Sequence, residues 1–226
     1  MTSTPHQAHF ASRDWQLYPG GGLFWPDHAA LMVADLHLGK DATFRAASVG
    51  VPVGSTPATL DAVSQMLDHS GSTELFVLGD LFHSRSSLSR ETVAAFEQFL
   101  TQHRDIDVTL IRGNHDRHVG RLPDRWNLNI VEDSLHLDGV LLTHFPGSCP
   151  DHADLLIAGH LHPADVISVR GESTGKLPCF WLHQRCLTLP ACGHFTGTAK
   201  VDRRSGDRVW LIADHTVIER SPAAAR

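Results

Sequence analysis

The sequence has few of the features that mark secreted, membrane or disulfide-stabilised proteins. Its 226 residues include only four cysteines, and no two of them form a C-x-x-C pair. We therefore expect reduced, mostly buried thiols that serve packing, with zinc binding or catalysis as the alternative. The N-terminus lacks a basic stretch followed by an apolar run, and no apolar run approaches the roughly 18 residues of a membrane span. These absences predict a cytoplasmic protein without a membrane partner.

Positive charge is also in short supply. Lysine and arginine together number 19 against 25 aspartates and glutamates, which gives a formal net charge of −6 with neutral histidine. Proteins that wrap duplex DNA normally rely on clustered lysine and arginine, so the composition disfavours that class. Histidine is abundant instead, at 17 residues. Because imidazole is the commonest metal ligand and titrates near neutral pH, this excess indicates metal binding or acid–base chemistry.

The pattern of apolar runs predicts one α/β domain over residues 1–226. The chain is 42% hydrophobic and 19% charged, which is typical of a soluble globular protein, and no repeat or linker divides it. Helical spacing over 59–69 and 89–103 separates the first three strand-length runs, with Ser89 as a candidate N-cap. After residue 140 the pattern is mainly β, so we expect two mixed sheets packed face to face with helices outside. The strand-length runs before residue 160 lie at 31–34, 75–78, 108–111, 140–142 and 155–158.

Each of these five runs leads into side chains that can bind metal. Strand ends in α/β sheets form ligand sites, so we expect the polar blocks to meet there. On extended backbone, residues i and i+2 share a face about 6.5–7 Å apart, so a D-x-H or H-x-H pair would aim at one place. The mixture of carboxylate, amide and imidazole suits Mn, Fe or Zn better than Mg or Ca. In chain order the blocks are D-x-H at 35–37, G-D at 79–80, G-N-H-D at 113–116, H at 144, and G-H-x-H at 159–162.

Taken singly, these blocks have ordinary explanations. A D-x-H pair is common by chance, and N-H-D is most often a turn because Asn and Asp favour turns. The complete order, with each block after an apolar run, is not readily explained by chance. It resembles the calcineurin-like metallophosphoesterase superfamily, whose blocks run in the same order, and the match spans residues 35–162. The resemblance implies an α/β fold of four layers, an α-β-β-α sandwich.

The resemblance also implies a binuclear metal centre. Its cofactors would be two divalent ions, Mn²⁺ above all with Fe or Zn as alternatives, and a hydroxide bridging them would attack phosphorus. One carboxylate, Asp80, would bridge both ions. The implied ligands are Asp35, His37, Asp80 and His162 for the first ion, and Asp80, Asn114, His144 and His160 for the second.

Several residues beside the ligands are candidates for catalysis or substrate binding. His115 matches the family's catalytic histidine, which would donate a hydrogen bond to phosphate or protonate the leaving oxygen. Asp116 would orient that imidazole, or serve only as a turn carboxylate. His83 would line the substrate side or buttress the neighbouring loop. Arg45 and Arg117 would grip phosphate through bidentate bonds, or be ordinary solvated or ion-paired surface residues.

Within the superfamily, the chain is most similar to the ligase-associated DNA damage response endonuclease (PdeM) family. This likeness implies a manganese-dependent DNA endonuclease that acts on single-stranded or flexible DNA, in bacterial repair beside a DNA ligase and a helicase. Arg112, Arg117, Arg121 and Arg125 would form a short basic track for weak, salt-sensitive contact. The segments that carry the likeness are 35–40 with Phe44 and Arg45, 79–84, 113–117 and the tail 189–197.

Other functions stay open at this point. A small-molecule or nucleotide phosphoesterase of the same superfamily would carry the same blocks. The UDP-diacylglucosamine hydrolases resemble the chain less, since they have Arg where His115 stands and an amphipathic cap. The 29 residues between Asn114 and His144 leave little room for such a cap. A non-catalytic scaffold on this fold would have lost ligands, and none is missing here.

Overall fold

The N-terminal part of the chain builds a mixed sheet of seven strands. A computed structural model describes residues 4–46, 54–169, 172–194 and 196–221. The first four strands of this sheet pair antiparallel, and the fourth to the seventh pair parallel. In sheet order they are β1 (His6–Phe10), β2 (Arg13–Leu17), β3 (Leu23–Trp25), β4 (Ala30–Val33), β5 (Glu74–Leu78), β6 (Asp107–Ile111) and β7 (Asn129–Val131).

The rest of the chain forms a second mixed sheet, of nine strands. They are β8 (Ser134–Leu137), β9 (Val140–Thr143), β10 (Leu155–Ala158), β11 (Pro163–Val169), β12 (Glu172–His183), β13 (Cys186–Thr188), β14 (Ala199–Lys200), β15 (Arg208–Ala213) and β16 (Thr216–Arg220). Their order is β14-β11-β12-β13-β10-β9-β8, and β15 pairs with both β12 and β16.

Four α-helices are described: α1 (Lys40–Ala46), α2 (Ser55–Ser70), α3 (Arg90–Gln102) and α4 (Asn114–Val119). Helices α2 and α3 cover one face of the first sheet, where Leu60, Val63 and Phe96 join the apolar side chains of β4 to β6 in one cluster. The predicted N-cap is confirmed, since the Ser89 side chain accepts a hydrogen bond from the backbone N–H of Thr92. None of these helices is long and apolar enough to cross a membrane.

The two sheets are held face to face by a shared aromatic core. The ring of Phe10 on β1 lies 5.4 Å from Trp15 on β2 and 5.5 Å from Trp210 on β15, so it links the two sheets. Trp15 also contacts Trp25 at 5.1 Å, and Trp15, Trp25 and Trp210 are almost completely buried. Burial of such large rings is a strong driving force for the face-to-face contact. The predicted pair of packed mixed sheets with flanking helices is confirmed.

The second helical layer of the four-layer description is not found among the described residues. The four α-helices lie between Lys40 and Val119, and none is described in residues 134–169, 172–194 and 196–221, which contain the second sheet. Cys149 packs there against a cluster that contains Cys186, and Val201 packs against a cluster that contains Cys179. All four cysteines are free thiols and three are buried, which agrees with the predicted packing role.

Candidate metal centre

The polar blocks meet because the strands that precede them are neighbours. Strands β4, β5 and β6 run parallel, so their carboxyl ends lie side by side at one edge of the first sheet. Strands β9 and β10 run parallel in the second sheet and bring two further blocks to the same region. The structure therefore brings together Asp35, His37, Asp80, Asn114, His144, His160 and His162.

The two spaced pairs do not lie on extended backbone, so that part of the sequence interpretation is wrong. Strands β4 and β10 end before the pairs begin. The backbone φ angle is +55° at Asp35, +46° at His37, +72° at His160 and +48° at His162. Residues other than glycine rarely adopt this left-handed region. Those that do cluster at functional sites, where surrounding contacts hold them.

Hydrogen bonds between the loops supply those contacts. The backbone N–H of Asp35 donates to the carbonyl of Gly79 (3.1 Å), and that of His37 donates to the carbonyl of Asp80 (2.9 Å). The N–H of His160, from the other sheet, donates to Oδ2 of Asp35 (2.8 Å). Each loop is thereby fixed by its neighbours, so the conformation of one ligand-bearing loop depends on the others.

The first candidate metal-binding group consists of Asp35, His37 and His162. Nε2 of His162 lies 3.4 Å from Nε2 of His37 and 3.4 Å from Oδ1 of Asp35. Asp35 is fully buried, and its Oδ1 has no hydrogen-bond partner among the described residues. An unsatisfied buried carboxylate oxygen is costly, and a bound cation would satisfy it.

The second group consists of Asp80, His144 and His160, with Asn114 beside it. Nε2 of His144 lies 3.0 Å from Oδ1 of Asn114, 3.1 Å from Nδ1 of His160 and 3.6 Å from Oδ2 of Asp80. Oδ2 of Asp80 is also 3.8 Å from Nε2 of His37, which belongs to the first group. The Asp80 carboxylate therefore lies between the two groups, where a shared ligand would be needed.

The protonation pattern of the imidazoles favours metal binding. Nδ1 of His144 lies 2.9 Å from the carbonyl of Leu78, and Nδ1 of His162 lies 2.9 Å from the carbonyl of Gly197. A carbonyl only accepts, so each Nδ1 carries a proton and a neutral ring keeps its lone pair on Nε2. Metal-binding histidines usually donate their other ring N–H in this way. Both Nε2 atoms then direct lone pairs at neighbouring acceptors, an arrangement that a cation would stabilise.

The pKa values reflect the same environment. Burial and the neighbouring His162 ring lower the pKa of His37 to about 2, so this ring is neutral at pH 7. Burial, with a smaller contribution from the charge of Asp35, raises the pKa of Asp80. Burial would also lower the pKa of His162, but the Asp35 carboxylate and the Gly197 carbonyl outweigh it and raise that pKa. The space beside Asp35 therefore favours positive charge.

His83 and His115 form a third potential metal-binding group with His37. The rings of His83 and His115 stack with centroids 4.8 Å apart, and Nδ1 of His83 lies 3.4 Å from Nδ1 of His37. Nδ1 of His115 lies 2.6 Å from the backbone carbonyl of His83. Burial, followed by the charge of His115, lowers the pKa of His83 to about 4. His83 thus contacts the centre directly, and the same residue also buttresses His115.

Asp116 does not orient the His115 ring as predicted. Its carboxylate is buried and accepts hydrogen bonds from the backbone N–H groups of Asp80 (2.7 Å), Gly113 (2.9 Å) and Phe82 (3.3 Å). The His115 imidazole is held by the His83 carbonyl instead. Burial raises the pKa of Asp116 to about 6, although the three N–H groups oppose the shift. Asp116 therefore fixes the backbone of two loops that carry candidate ligands.

The arginines named from the sequence are bound to acids. Arg45 lies 3.0 Å from the Asp41 carboxylate, and Arg117 lies 2.9 Å from Asp133. The structure thus favours the ion-paired alternative for both, and their predicted role in phosphate binding stays untested. The other members of the expected basic track are also paired with acids, so its charge is largely neutralised. These pairs are Arg112 with Glu132, Arg121 with Asp124, and Arg125 with Glu97.

The tail at 189–197 supports the centre, a role that the sequence did not indicate. The N–H of Cys192 donates to the carbonyl of Ala34 (2.9 Å), and that of Gly193 donates to the carbonyl of Asp35 (3.2 Å). The Gly197 carbonyl accepts from His162. These are backbone contacts between distant segments, so no side-chain pattern signals them. None of the described residues of this segment belongs to a candidate metal-binding group, so the segment acts through the residues that it holds.

Lys40 is a second residue without a predicted role. Its charge contributes to the lowered pKa values of His37 and His83, which places it close to the cluster. Burial lowers the pKa of Lys40 itself. Its ammonium lies 6.0 Å from the ring of Phe44. The signal in the sequence was its position three residues after His37 of the first block.

Two glycines of the blocks are required by close approach. A Cβ atom at Gly79 would lie 2.2 Å from Nδ1 of His144, and one at Gly113 would lie 2.2 Å from Oδ1 of Asp80. Gly79 also has a φ of +81°, which other residues rarely adopt. Each glycine therefore leaves the space that a candidate ligand from another block occupies.

Comparison with known proteins identifies the family. The model of the calcineurin-like phosphoesterase family matches residues 30–149, more than half of the chain. The protein belongs to this family, whose members are metal-dependent hydrolases of phosphoesters, and the predicted superfamily is confirmed. A search of curated protein sequences finds no match.

Among solved structures, the chain is similar to the nuclease MPE of Pseudomonas putida. The two are 31% identical, the alignment covers 96% of this chain and 100% of that chain, and the TM-score is 0.83. This similarity is consistent with the predicted endonuclease subfamily. The phosphoesterase Yfce of E. coli is 17% identical, with coverage of 87% of this chain and 99% of that chain and a TM-score of 0.39. The latter values are too low to support an inference.

The contacts of Asp116 predict a structural effect of its removal. Asp116→Ala should lower the free energy of unfolding by on the order of 3 kcal/mol or more, because three buried N–H groups lose their acceptor. Urea unfolding measures the change. Asp133→Ala removes an exposed, ion-paired carboxylate and should change stability by less than about 1 kcal/mol. Unchanged stability in Asp116→Ala would contradict the proposed support of the ligand loops.

Proposed function

We propose that the protein is a phosphodiesterase with two divalent metal ions, and that it acts as an endonuclease on single-stranded or flexible DNA in bacterial DNA repair. The observation that carries this proposal is the pair of donor groups with the Asp80 carboxylate between them, 3.8 Å from His37 of the first group and 3.6 Å from His144 of the second. Its family hydrolyses phosphoesters, and a similar structure is that of a nuclease. We further propose that residues 1–226 form one domain and that the protein works in the cytoplasm.

The proposed ligands follow the two groups. The first ion would be held by Asp35, His37, Asp80 and His162, and the second by Asp80, Asn114, His144 and His160. The mixture of oxygen and nitrogen donors suits Mn²⁺, Fe or Zn, and the resemblance to the manganese-dependent endonuclease family favours Mn²⁺ among them. Two such ions lower the pKa of a bound water and neutralise charge on phosphoryl oxygens, which suits displacement at phosphorus.

His115 is the proposed catalytic residue. Its Nδ1 is fixed by the His83 carbonyl, which leaves Nε2 available on the side of the Asp80 carboxylate, 3.9 Å away. The side chain is 35% exposed, so substrate can reach it. The carbonyl accepts from Nδ1–H in both protonation states of the ring. A protonated His115 can therefore hydrogen-bond the phosphate or pass the Nε2 proton to the leaving oxygen without losing its orientation.

The proposal that DNA is the substrate is supported by the similarity to a nuclease of known structure. We further propose a functional link to a DNA ligase and a helicase. A small-molecule or nucleotide phosphoesterase remains the second candidate, because the net charge of −6 provides little general attraction for a long polyanion. A non-catalytic scaffold is disfavoured because every proposed ligand is present in the cluster.

A panel of metals and substrates tests the proposed activity. Protein stripped with a chelator should hydrolyse bis(4-nitrophenyl) phosphate only after Mn²⁺ is restored, because both ions are needed to neutralise the phosphoryl charge. Release of nitrophenolate measures the rate, with Mg²⁺, Zn²⁺ and Fe²⁺ as comparisons. A rate that is independent of metal would exclude the two-metal mechanism.

The His115 proposal predicts loss of turnover without loss of metal. His115→Ala should reduce kcat at least ~100-fold, the usual range for a lost general acid. Elemental analysis should still find two metal ions per chain. His118→Ala is the matched control, since His118 lies on the same helix and its Nδ1 contacts the backbone carbonyl of Asn114. Loss of metal in His115→Ala would mean that this residue is a ligand.

Circular single-stranded DNA distinguishes an endonuclease from an enzyme that needs an end. With Mn²⁺, the protein should convert the circle to linear molecules, which gel electrophoresis resolves. Fully paired circular duplex should be cut more slowly, because the acidic chain lacks the charge to hold stiff DNA. Hydrolysis of phosphomonoesters alone would contradict the nuclease proposal and favour the second candidate.

A further inference from the structure

Two exposed apolar side chains adjoin the candidate metal centre. Only four large hydrophobic residues among those described are exposed, and they are Ile130, Phe145, Leu161 and Ile218. Phe145 follows His144 directly, and Leu161 stands between His160 and His162. Single exposed apolar residues are common on protein surfaces, but an aromatic ring beside a polar, charged site is not expected from packing alone.

Phe145 is held against the imidazoles of the second candidate group. Its ring centroid lies 4.7 Å from that of His144 and 4.8 Å from that of His160, both in edge-on geometry. The residue is nevertheless 45% exposed. Contacts on one side therefore fix the ring while a large part of it faces solvent, which is the arrangement of a preformed binding surface.

The surrounding charges show why such a surface would be useful. Arg45, Arg112 and Arg117 are each paired with a carboxylate, and the whole chain carries a net charge of −6. These three guanidinium groups are therefore already engaged, which lowers their contribution to the binding of a polyanion. Stacking of a base on an aromatic ring needs no positive charge and accepts every base, because each base has a π-face.

We propose that Phe145 is a stacking platform for a nucleobase adjacent to the scissile phosphate, which makes the enzyme prefer phosphodiesters that carry bases over bare sugar-phosphate chains. This inference rests on the proposed function and names the feature of the substrate that the site recognises. Phe44 is the other aromatic residue nearby, and its ring centroid lies 6.2 Å from that of His83. It is half-buried, and the Lys40 ammonium lies 6.0 Å from its ring. Phe145 is therefore the more accessible ring.

Two single-stranded oligomers of equal length test the proposal, one with bases and one built from abasic residues. Phe145→Ala should raise KM for the first by about fivefold or more, the lower end of the loss seen when a stacked aromatic is removed. Its KM for the abasic oligomer and its kcat on both should change less than about twofold. Phe145→Trp should restore the low KM, because indole also stacks.

Ile218→Ala is the matched control. Ile218 is 50% exposed and lies on β16, which is separated from β10 by β15, β12 and β13. This variant should behave as the wild type on both oligomers. An equal KM increase of Phe145→Ala on both oligomers would overturn the proposal, since the ring would then only position His144 and His160. Unchanged KM on both would overturn it as well.

Failure of the proposed function is distinguishable from failure of this inference. If the wild type cleaves neither oligomer but hydrolyses bis(4-nitrophenyl) phosphate, the nuclease proposal fails by itself. Competitive inhibition of that hydrolysis by a deoxynucleoside monophosphate and by deoxyribose 5-phosphate then tests the platform. Stronger inhibition by the nucleotide, lost in Phe145→Ala, supports stacking, and equal inhibition by both compounds overturns it.

Discussion

Two buried carboxylates and the lone pairs of several imidazoles face a common space, and the rest of the structure is arranged around the cost of that placement. Asp35 and Asp80 are almost completely buried, and neither has a lysine or arginine in an ion pair among the described contacts. Burial of unpaired charge is expensive, so such groups normally bind a metal, pair with another charge or take up a proton. Burial raises the pKa of Asp80, and the Asp35 carboxylate raises the pKa of His162, so both groups are shifted toward their protonated forms.

The loops that carry these buried groups are held in place through hydrogen bonds of the backbone. Asp116 ties three N–H groups of two loops, and the tail residue Gly193 binds the carbonyl of Asp35. Gly79 and Gly113 leave space for side chains from other loops. The left-handed conformation of several ligand residues is thus maintained by many weak contacts rather than by any single one. Preorganised ligands lose less entropy on metal binding, which is the benefit of such a frame.

The sequence predicted the parts of this arrangement that depend on local pattern. Apolar runs identified the strands, and each block of polar residues lies after the strand expected for it, because parallel neighbours end at one edge of a sheet. Contacts between backbone groups that are distant in the sequence could not be predicted from local pattern. The partners of Asp116 are set by how two loops pack, so its position next to His115 in the sequence suggested the wrong hydrogen-bond partner. The turn of Asp35 and His37 out of the strand depends on bonds to the next loop, and no residue preference signals it.

The electrostatic balance of the protein limits what its substrate can be. Two divalent ions would add +4 to the formal charge of −6 and leave about −2, so they would be the largest local positive charges on an otherwise acidic chain. Arg112 and Arg117 are already paired with acids, and release of such a surface pair for a phosphate would gain little. A long, stiff duplex would gain little general electrostatic attraction from a chain with this net charge. A flexible strand can place one phosphate at the ions and turn the rest away, so under the proposed function the acidity of the chain itself selects for flexible nucleic acid.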